Sequence, residues 1–269
     1  MRPGQLKRTI KDRAICFAKA AWYALVERHR LDAARWLLFA DDGEVTVIIP
    51  TRDRWDLLIN RALPSVLCQQ GVPIRVIIVQ DGGKCPTREQ WAVGLLQDPR
   101  VKILRIVKDQ HYPNVPFYHW LVGPSNAMNH GMNLVHSSWV ARLDDDDRYA
   151  SPDVLCALMH HARQHQAEFV SAEWMDQDGC IAEPYREDGV LVGGVQTWLY
   201  RSYLKCFEYN LDSWRKAWDK NNEIDLYKRM LYAGVRFTFC PMLAAVITPR
   251  PGVSKIGLAG YLEEHHVQG

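Results

Sequence analysis

No uninterrupted apolar run in this 269-residue chain approaches the roughly 20 residues needed to cross a bilayer. Residues 1–40 also lack the apolar core and small-residue cleavage site of a secretory signal. A cytoplasmic location is the expectation that follows. The seven cysteines (Cys16, Cys68, Cys85, Cys156, Cys180, Cys206 and Cys240) are odd in number, widely spaced and without a C-x-x-C pair, so they read as reduced, structural thiols. Charge of one sign is missing as well: 33 basic against 31 acidic residues leave a net +2, which argues for neither nucleic acid nor an acidic partner. Repeats and low-complexity segments are absent. What remains, 48% hydrophobic and 24% charged, is an ordinary globular composition, long enough for one large domain or two small ones with a sizeable core.

The even total hides an asymmetry. Residues 1–40 hold nine basic and three acidic residues, net +6, and the other 229 carry net −4. Within the basic stretch, Ile10, Ala14, Phe17, Ala18, Ala21, Trp22 and Leu25 recur at helical spacing, and 28–39 continues the helix. Its cations are not confined to one polar face, so docking on protein is favoured over an anionic membrane surface.

After Asp41-Asp42-Gly43 short β-branched runs alternate with helical stretches, the signature of a βαβ layer architecture. Strands are expected at Val45–Ile49, Ile74–Val79, Val101–Val107, Trp139–Leu143, Glu168–Trp174, Val235–Phe239 and Leu243–Ile247. Helices are expected at Trp55–Cys68, interrupted by Pro64, and at Arg88–Leu96, Ser125–His136, Pro152–His165 and Glu223–Ala233. Lys108–Gly123 reads as irregular. His161 and His165, at i, i+4, have no third ligand in view and read as a solvated face.

Ligands collect beyond the carboxyl ends of strands in open α/β sheets. Three such ends are chemically loaded: Pro50-Thr51-Arg52-Asp53, Gln80-Asp81-Gly82-Gly83 and Asp144-Asp145-Asp146-Asp147. Two unit charges ~4 Å apart repel by about 4 kcal/mol at an effective dielectric of ~20, so four consecutive carboxylates need compensation. A solvated acidic turn would serve. At a strand end bordering a ligand crevice, a hard divalent cation is the better account, with substrate phosphates completing its shell.

The set VTVIIPTRDR, VIIVQDGG, GPSNAMNHG, LDDDD and NNEIDLYKRMLYAG, in that order, resembles the inverting family-2 glycosyltransferases of the GT-A fold over about Val45 to Gly252. The resemblance implies an α/β GT-A domain at 43–254: a Rossmann-like nucleotide-binding sheet flanked by helices to about 147, then an acceptor half. A basic helical extension (1–42) precedes it and a tail (255–269) follows. It implies metal-dependent transfer of a sugar from a nucleotide-diphosphate donor, a UDP-sugar, to a hydroxyl of a glycan or lipid-linked acceptor.

Carried over position by position, the resemblance puts Pro50, Thr51, Arg52, Asp81, Asn129, Asp144, Asp145 and Arg250 on the nucleotide-sugar, and Asp146 and Asp147 on Mg²⁺ or Mn²⁺. The division of roles among the aspartates stays open. Glu223 falls at the catalytic base. Gln80, Met128 and the Asn222-Glu223 pair depart from the family's usual Asp, Arg and Glu-Asp. By its residues alone, Glu223 could also be a first-turn glutamate stabilised by the helix dipole, with Asn221 or Asn222 as cap. Arg250 could reach the diphosphate or sit in a surface turn. Trp198, Trp214 and Trp218 lie in the acceptor half, where each singly reads as core. A non-catalytic nucleotide- or carbohydrate-binding module is the alternative. A nucleotidyltransferase is a weaker one, because Pro50-Thr51-Arg52-Asp53 is not the Gly-rich basic loop such an enzyme needs. Residues 1–40 could bring the protein to the inner face of an anionic membrane.

Overall fold

The computed structural model describes residues 18, 21–22, 24–36, 41–107 and 112–266. The expectations placed on Ile10, Ala14, Cys16, Phe17, residues 37–40 and the irregular segment's start at 108–111 lie outside the described residues.

In chain order the strands are β1 (Val45–Thr51), β2 (Ile74–Asp81), β3 (Val101–Ile106), β4 (Trp139–Arg142), β5 (Asp147–Tyr149), β6 (Phe169–Met175), β7 (Tyr185–Glu187), β8 (Val190–Val192), β9 (Leu199–Arg201) and β10 (Phe237–Ile247). Eight form one sheet in the order β3-β2-β1-β4-β9-β6-β10-β5, and β7 and β8 make a separate hairpin. The half β3-β2-β1-β4 is parallel, with Val45 opposite both Ile74 and Trp139. β9 then runs antiparallel between β4 and β6, so the strand direction reverses beside β4. Every residue of β1 is buried, as expected of a central strand covered on both faces.

The helices are α1 (residues 24–36), α2 (55–67), α3 (Arg88–Ala92), α4 (Pro116–Val122), α5 (Ser125–Met132), α6 (Val154–Gln164), α7 (Asn222–Ala233) and α8 (Gly257–His266). Two cores sandwich the sheet. Val45, Val47 and Ile49 point with α2 and α6 into one, while Ile48, Ile77, Val79 and Val140 pack with α5, α7 and Leu31 of α1 in the other. The break expected at Pro64 takes the form of a wide π turn at Leu58–Ala62, just before the proline, which absorbs the loss of a backbone donor without ending α2.

Several expectations change. The helix from Arg88 stops at Ala92, where Gly94 turns left-handed (φ 83°) before a 3-10 turn at Leu95–Gln97. The irregular stretch ends in α4, opened by Pro116 in the first turn, where its fixed φ suits a helix start. The helix from Ser125 stops at Met132, short of His136. The two last strands are one, β10, whose pairing with β6 shifts register between Cys240 and Leu243 and again before Ala245. Residues 257–266, expected only as a tail, form α8.

The favoured docking of the extension on protein holds for α1: Leu31 is fully buried, and Arg35 Nε and Nη2 donate to Glu168 at 2.7 and 2.6 Å. Among the described residues no helix is long and apolar enough to cross a membrane.

α5 lies so close to the sheet that only glycine fits at its nearest point. A Cβ on Gly131 would stand 2.7 Å from Ile48 Cγ2 and 3.2 Å from Val79 Cγ2. Gly131→Ala is therefore expected to cost about 1–3 kcal/mol through overpacking, measured as a lowered urea midpoint with unchanged slope; an unchanged midpoint would contradict this packing.

Candidate active site

The loaded strand ends open on one cleft of ≈ 280 Å³, walled by Pro50, Thr51 and Arg52 after β1, Asp81 after β2, and Asp144–Asp147 after β4. The crevice lies where the parallel half of the sheet ends and β9 reverses direction beside β4. α4, the start of α7 and α8 close the other sides.

The aspartate turn is compensated by arginines from three elements. Asp145, buried, accepts from Thr51 Oγ1 and Arg54 Nη1, both at 2.8 Å. Asp146 Oδ2 accepts from Arg250 Nε at 2.6 Å and lies 3.4 Å from Arg54 Nη1. Asp144 receives both arms of Arg142, Nε at 2.9 Å and Nη2 at 3.1 Å. Beneath them Arg61, on the π turn of α2, sets Nη1 3.2–3.4 Å from the carbonyls of Asp146, Thr248 and Pro249, tying the turn to the segment that carries Arg250. π turns are frequent at functional sites, and here the wide turn places a cation under the cleft.

Burial and charge divide the turn's protonation. Burial pushes Asp145 up to about 7 against the pull of Arg54. Asp147 is raised well above the ordinary carboxylate range by burial and then by the charges of Asp146, Asp144 and Asp145. For Asp146 burial acts upward too, but Arg54 and Arg250 outweigh it and hold the group below that range.

Glu223 opens on the cleft from the first turn of α7. Asn221 caps this helix, its Oδ1 accepting from Glu223 N at 2.8 Å and Ile224 N at 3.2 Å, so the expected cap and a cleft-facing carboxylate coexist. Oε1 of Glu223 lies 2.9 Å from Nη1 of Arg142. Burial raises the Glu223 carboxyl, Arg142 opposes this, and Asp144 adds to it.

Of the residues expected on a ligand, Pro50, Thr51, Arg52, Asp81, Asp144–Asp147, Glu223 and Arg250 all line the cleft. Asn129 does not. Its amide is spent on the backbone of Tyr209, donating to the carbonyl at 2.9 Å and accepting from the N–H at 2.8 Å, so it fixes a loop instead of touching the cleft. Two departures from the family's pattern also lie away from the ligand: Met128 is fully buried in the core, and Asn222 donates to Ser125 Oγ at 2.6 Å. Asp81 Oδ2 accepts from Tyr112, whose hydroxyl also takes the N–H of Asn126. Trp198 is core, edge-on to Phe169; Trp214 packs against Tyr118; Trp218 is partly exposed. His161 and His165 pack with their rings tilted at 31°, His161 beside Thr238 Oγ1.

Sequence reasoning missed Arg54, Arg142, His119 and the residues of α8. A charged residue inside an otherwise apolar strand was the available signal for Arg142. α8 places Gly257, Gly260 and Tyr261 on the cleft, with Tyr261 stacked parallel to His119 and Glu264 on Arg250 Nη1 at 2.5 Å.

Among the described residues no three His, Cys, Asp or Glu side chains gather as a self-sufficient metal site. The cleft nevertheless offers the oxygens of Asp146, held ionised, and beside it those of Asp147, whose tightly held proton a divalent cation would displace on binding. That set fits a divalent cation of the kind bound by one or two carboxylates and completed by substrate phosphates.

A model of the family described as "Glycosyl transferase family 2" matches residues 46–233. Two proteins of Rhizobium meliloti (strain 1021) are similar: the succinoglycan biosynthesis protein ExoO, 29% identical over 44% of this chain and 30% of that one, and ExoW, 31% identical over 45% and 35%. The matched regions span about a third of these relatives' length. Among solved structures, S. aureus TarS 1-349 in complex with UDP-GlcNAc is similar with TM-score 0.57 and 15% identity, covering 80% of this chain and 60% of that one. The mannosyltransferase PcManGT from Pyrobaculum calidifontis, in complex with GDP-Man and Mn²⁺, is similar with TM-score 0.52 and 15% identity, covering 94% and 74%.

The charge ledger of the turn has a consequence for stability. A carboxyl raised from 3.8 to about 7 binds its proton more tightly in the folded chain, so Asp145 contributes stability below pH 4 that is lost as pH rises toward 7. Asp145→Asn should flatten the fall in unfolding free energy between pH 4 and 7, read from urea titrations at both ends. An unchanged difference between those ends would contradict the assignment.

Proposed function

Because the chain belongs to glycosyl transferase family 2, whose model spans residues 46–233, we propose that it transfers a sugar from a UDP-sugar to a hydroxyl of a growing glycan or a lipid-linked acceptor, with inversion. The observation that carries this reading is that Glu223, from the start of α7, and the aspartate turn open on one cleft with the strand ends after β1 and β2. Relatives named for succinoglycan biosynthesis support a polysaccharide role, and TarS with UDP-GlcNAc supports the donor class. The GT-A fold is shared with these structural neighbours.

In this reading Pro50, Thr51, Arg52 and Asp81 hold the nucleoside, with Asp81 accepting from the base. Asp144 and Asp145 orient the ribose and sugar, and Arg250 turns to the diphosphate. Glu223, ionised, accepts the proton of the acceptor hydroxyl as that oxygen attacks the anomeric carbon; the bond from that carbon to the phosphate oxygen breaks on the opposite face, and the electron pair leaves with the nucleoside diphosphate. Asp146 and Asp147 would hold Mg²⁺ or Mn²⁺, which when bound supplies positive charge against the leaving diphosphate. Since Arg250 and Arg54 already lie on Asp146, donor entry exchanges these guanidiniums from carboxylate to phosphate.

Release of nucleoside diphosphate from a panel of nucleotide-sugars, with Mn²⁺ and with EDTA, tests the activity. Cleavage of a UDP-sugar that EDTA abolishes is expected, and no release from any donor would overturn the reading. Glu223→Gln should lower turnover by about 10²–10⁴-fold with donor affinity nearly unchanged. Because the Glu223 carboxyl is raised, the wild-type rate should fall with decreasing pH from above the ordinary glutamate value.

We also propose that α1 brings the protein to an anionic membrane at its inner face. Trp22, Leu25 and Trp36 stand 62, 65 and 89% exposed, turned away from the buried Leu31 and Ala34, in a region of net +6. Co-sedimentation with phosphatidylserine vesicles should be lost in the Trp22→Ser/Trp36→Ser double variant; equal binding by both proteins would remove the proposal.

A further inference from the structure

We propose that Arg142 is a positioning residue that joins the two halves of the reaction, holding Asp144 on the donor side and Glu223 on the acceptor side in one fixed relation. The inference rests on the reading of Glu223 as base and goes beyond it by naming what fixes that base.

Arg142 ends β4 opposite Ile48 of β1, with its side chain 2% exposed. A guanidinium so deep in the fold carries a large desolvation cost and persists only where carboxylates offset it. Two do, from segments 79 residues apart in the chain. Asp144 takes Nε and Nη2 in a two-pronged contact, which fixes the plane of the group. The remaining nitrogen, Nη1, then faces Glu223 at 2.9 Å. The pair is a close ion pair in which Arg142 favours the ionised carboxylate against the upward push of burial. Glu223 Oε1 is thereby located without a proton being locked onto it, which suits a carboxylate that must accept one.

A third segment confines the guanidinium. The Tyr209 ring lies 5.9 Å from Arg142 Cζ, and the backbone of Tyr209 is pinned by the amide of Asn129 on α5. This gives Asn129 a role the sequence did not suggest, as support for the loop behind Arg142. The groups facing Glu223 are Arg142, Asp144 and the Asn221 cap. Without Arg142 only the like charge of Asp144 would act on Glu223 from the turn. A lysine could supply charge there, but not the fixed fork that relates the two carboxylates.

The test uses the full chain with Arg142→Met and Arg142→Lys. Carboxyl-carbon NMR titration, with the Glu223 signal identified by its loss in Glu223→Gln, should show the midpoint rising by about 1–2 pH units in Arg142→Met. In Arg142→Lys, which keeps the charge and is the safer variant for folding, the midpoint should stay near wild type. Turnover of UDP-sugar should nevertheless fall at least about tenfold. An unmoved Glu223 midpoint in folded Arg142→Met, or wild-type turnover in Arg142→Lys, overturns the proposal. Failure of the underlying reading has a different mark, full turnover in Glu223→Gln.

Discussion

Everything at the working end of this molecule follows from the need to neutralise four consecutive aspartates at the end of a buried strand. Water could do so only if the turn were exposed, and Asp145 and Asp147 are nearly inaccessible. The chain answers with Arg54 from the loop after β1, Arg142 from β4 and Arg250 from beyond β10. These three positions are far apart in sequence, and meeting at one turn fixes how the first, middle and last parts of the sheet close on each other. The cleft is the space left between those cations and the ends of β1 and β2.

That arrangement also explains why the fold tolerates a site with so much charge of one sign. Burial raises Asp145 and Asp147 while Asp146 stays low, so the turn holds its protons unevenly instead of bearing four full charges. An uneven distribution leaves one carboxylate, Asp146, ready for cationic partners, which in the chain alone are Arg250 and Arg54. In the proposed reaction the side chains that steady the aspartates are also the ones that turn to the donor's diphosphate.

Much of the architecture was legible in the sequence because β-branched runs and helical spacing report burial directly. β1, β2, β3, β4, β6 and α7 lie close to where they were expected, and so do the three loaded strand ends. Helix α4 was not legible: its aromatic residues, among them Phe117, Tyr118 and Trp120, surround no clear apolar stripe, and Pro116 reads equally as a loop residue. α8 was missed because it packs mainly on the cleft walls and carries only a weak helical pattern. The misplacement of Asn129 has a different cause. A polar side chain one turn from a ligand can be satisfied by a loop distant in sequence, here Tyr209, and no local pattern announces that partner. Arg142 carried a local signal, a charge inside an apolar strand with Asp144 two residues on, but its second carboxylate, Glu223, is equally distant in sequence.

Arg61 gathers the carbonyls of Asp146, Thr248 and Pro249 around one guanidinium on the π turn of α2. The two lips of the cleft are therefore tied from beneath by a side chain of the helix as well as across the opening by Arg250 on Asp146. Substitutions along either rim that spare this pair can change what the opening recognises while Arg61 keeps its width, which separates the evolution of selectivity from the upkeep of the aperture.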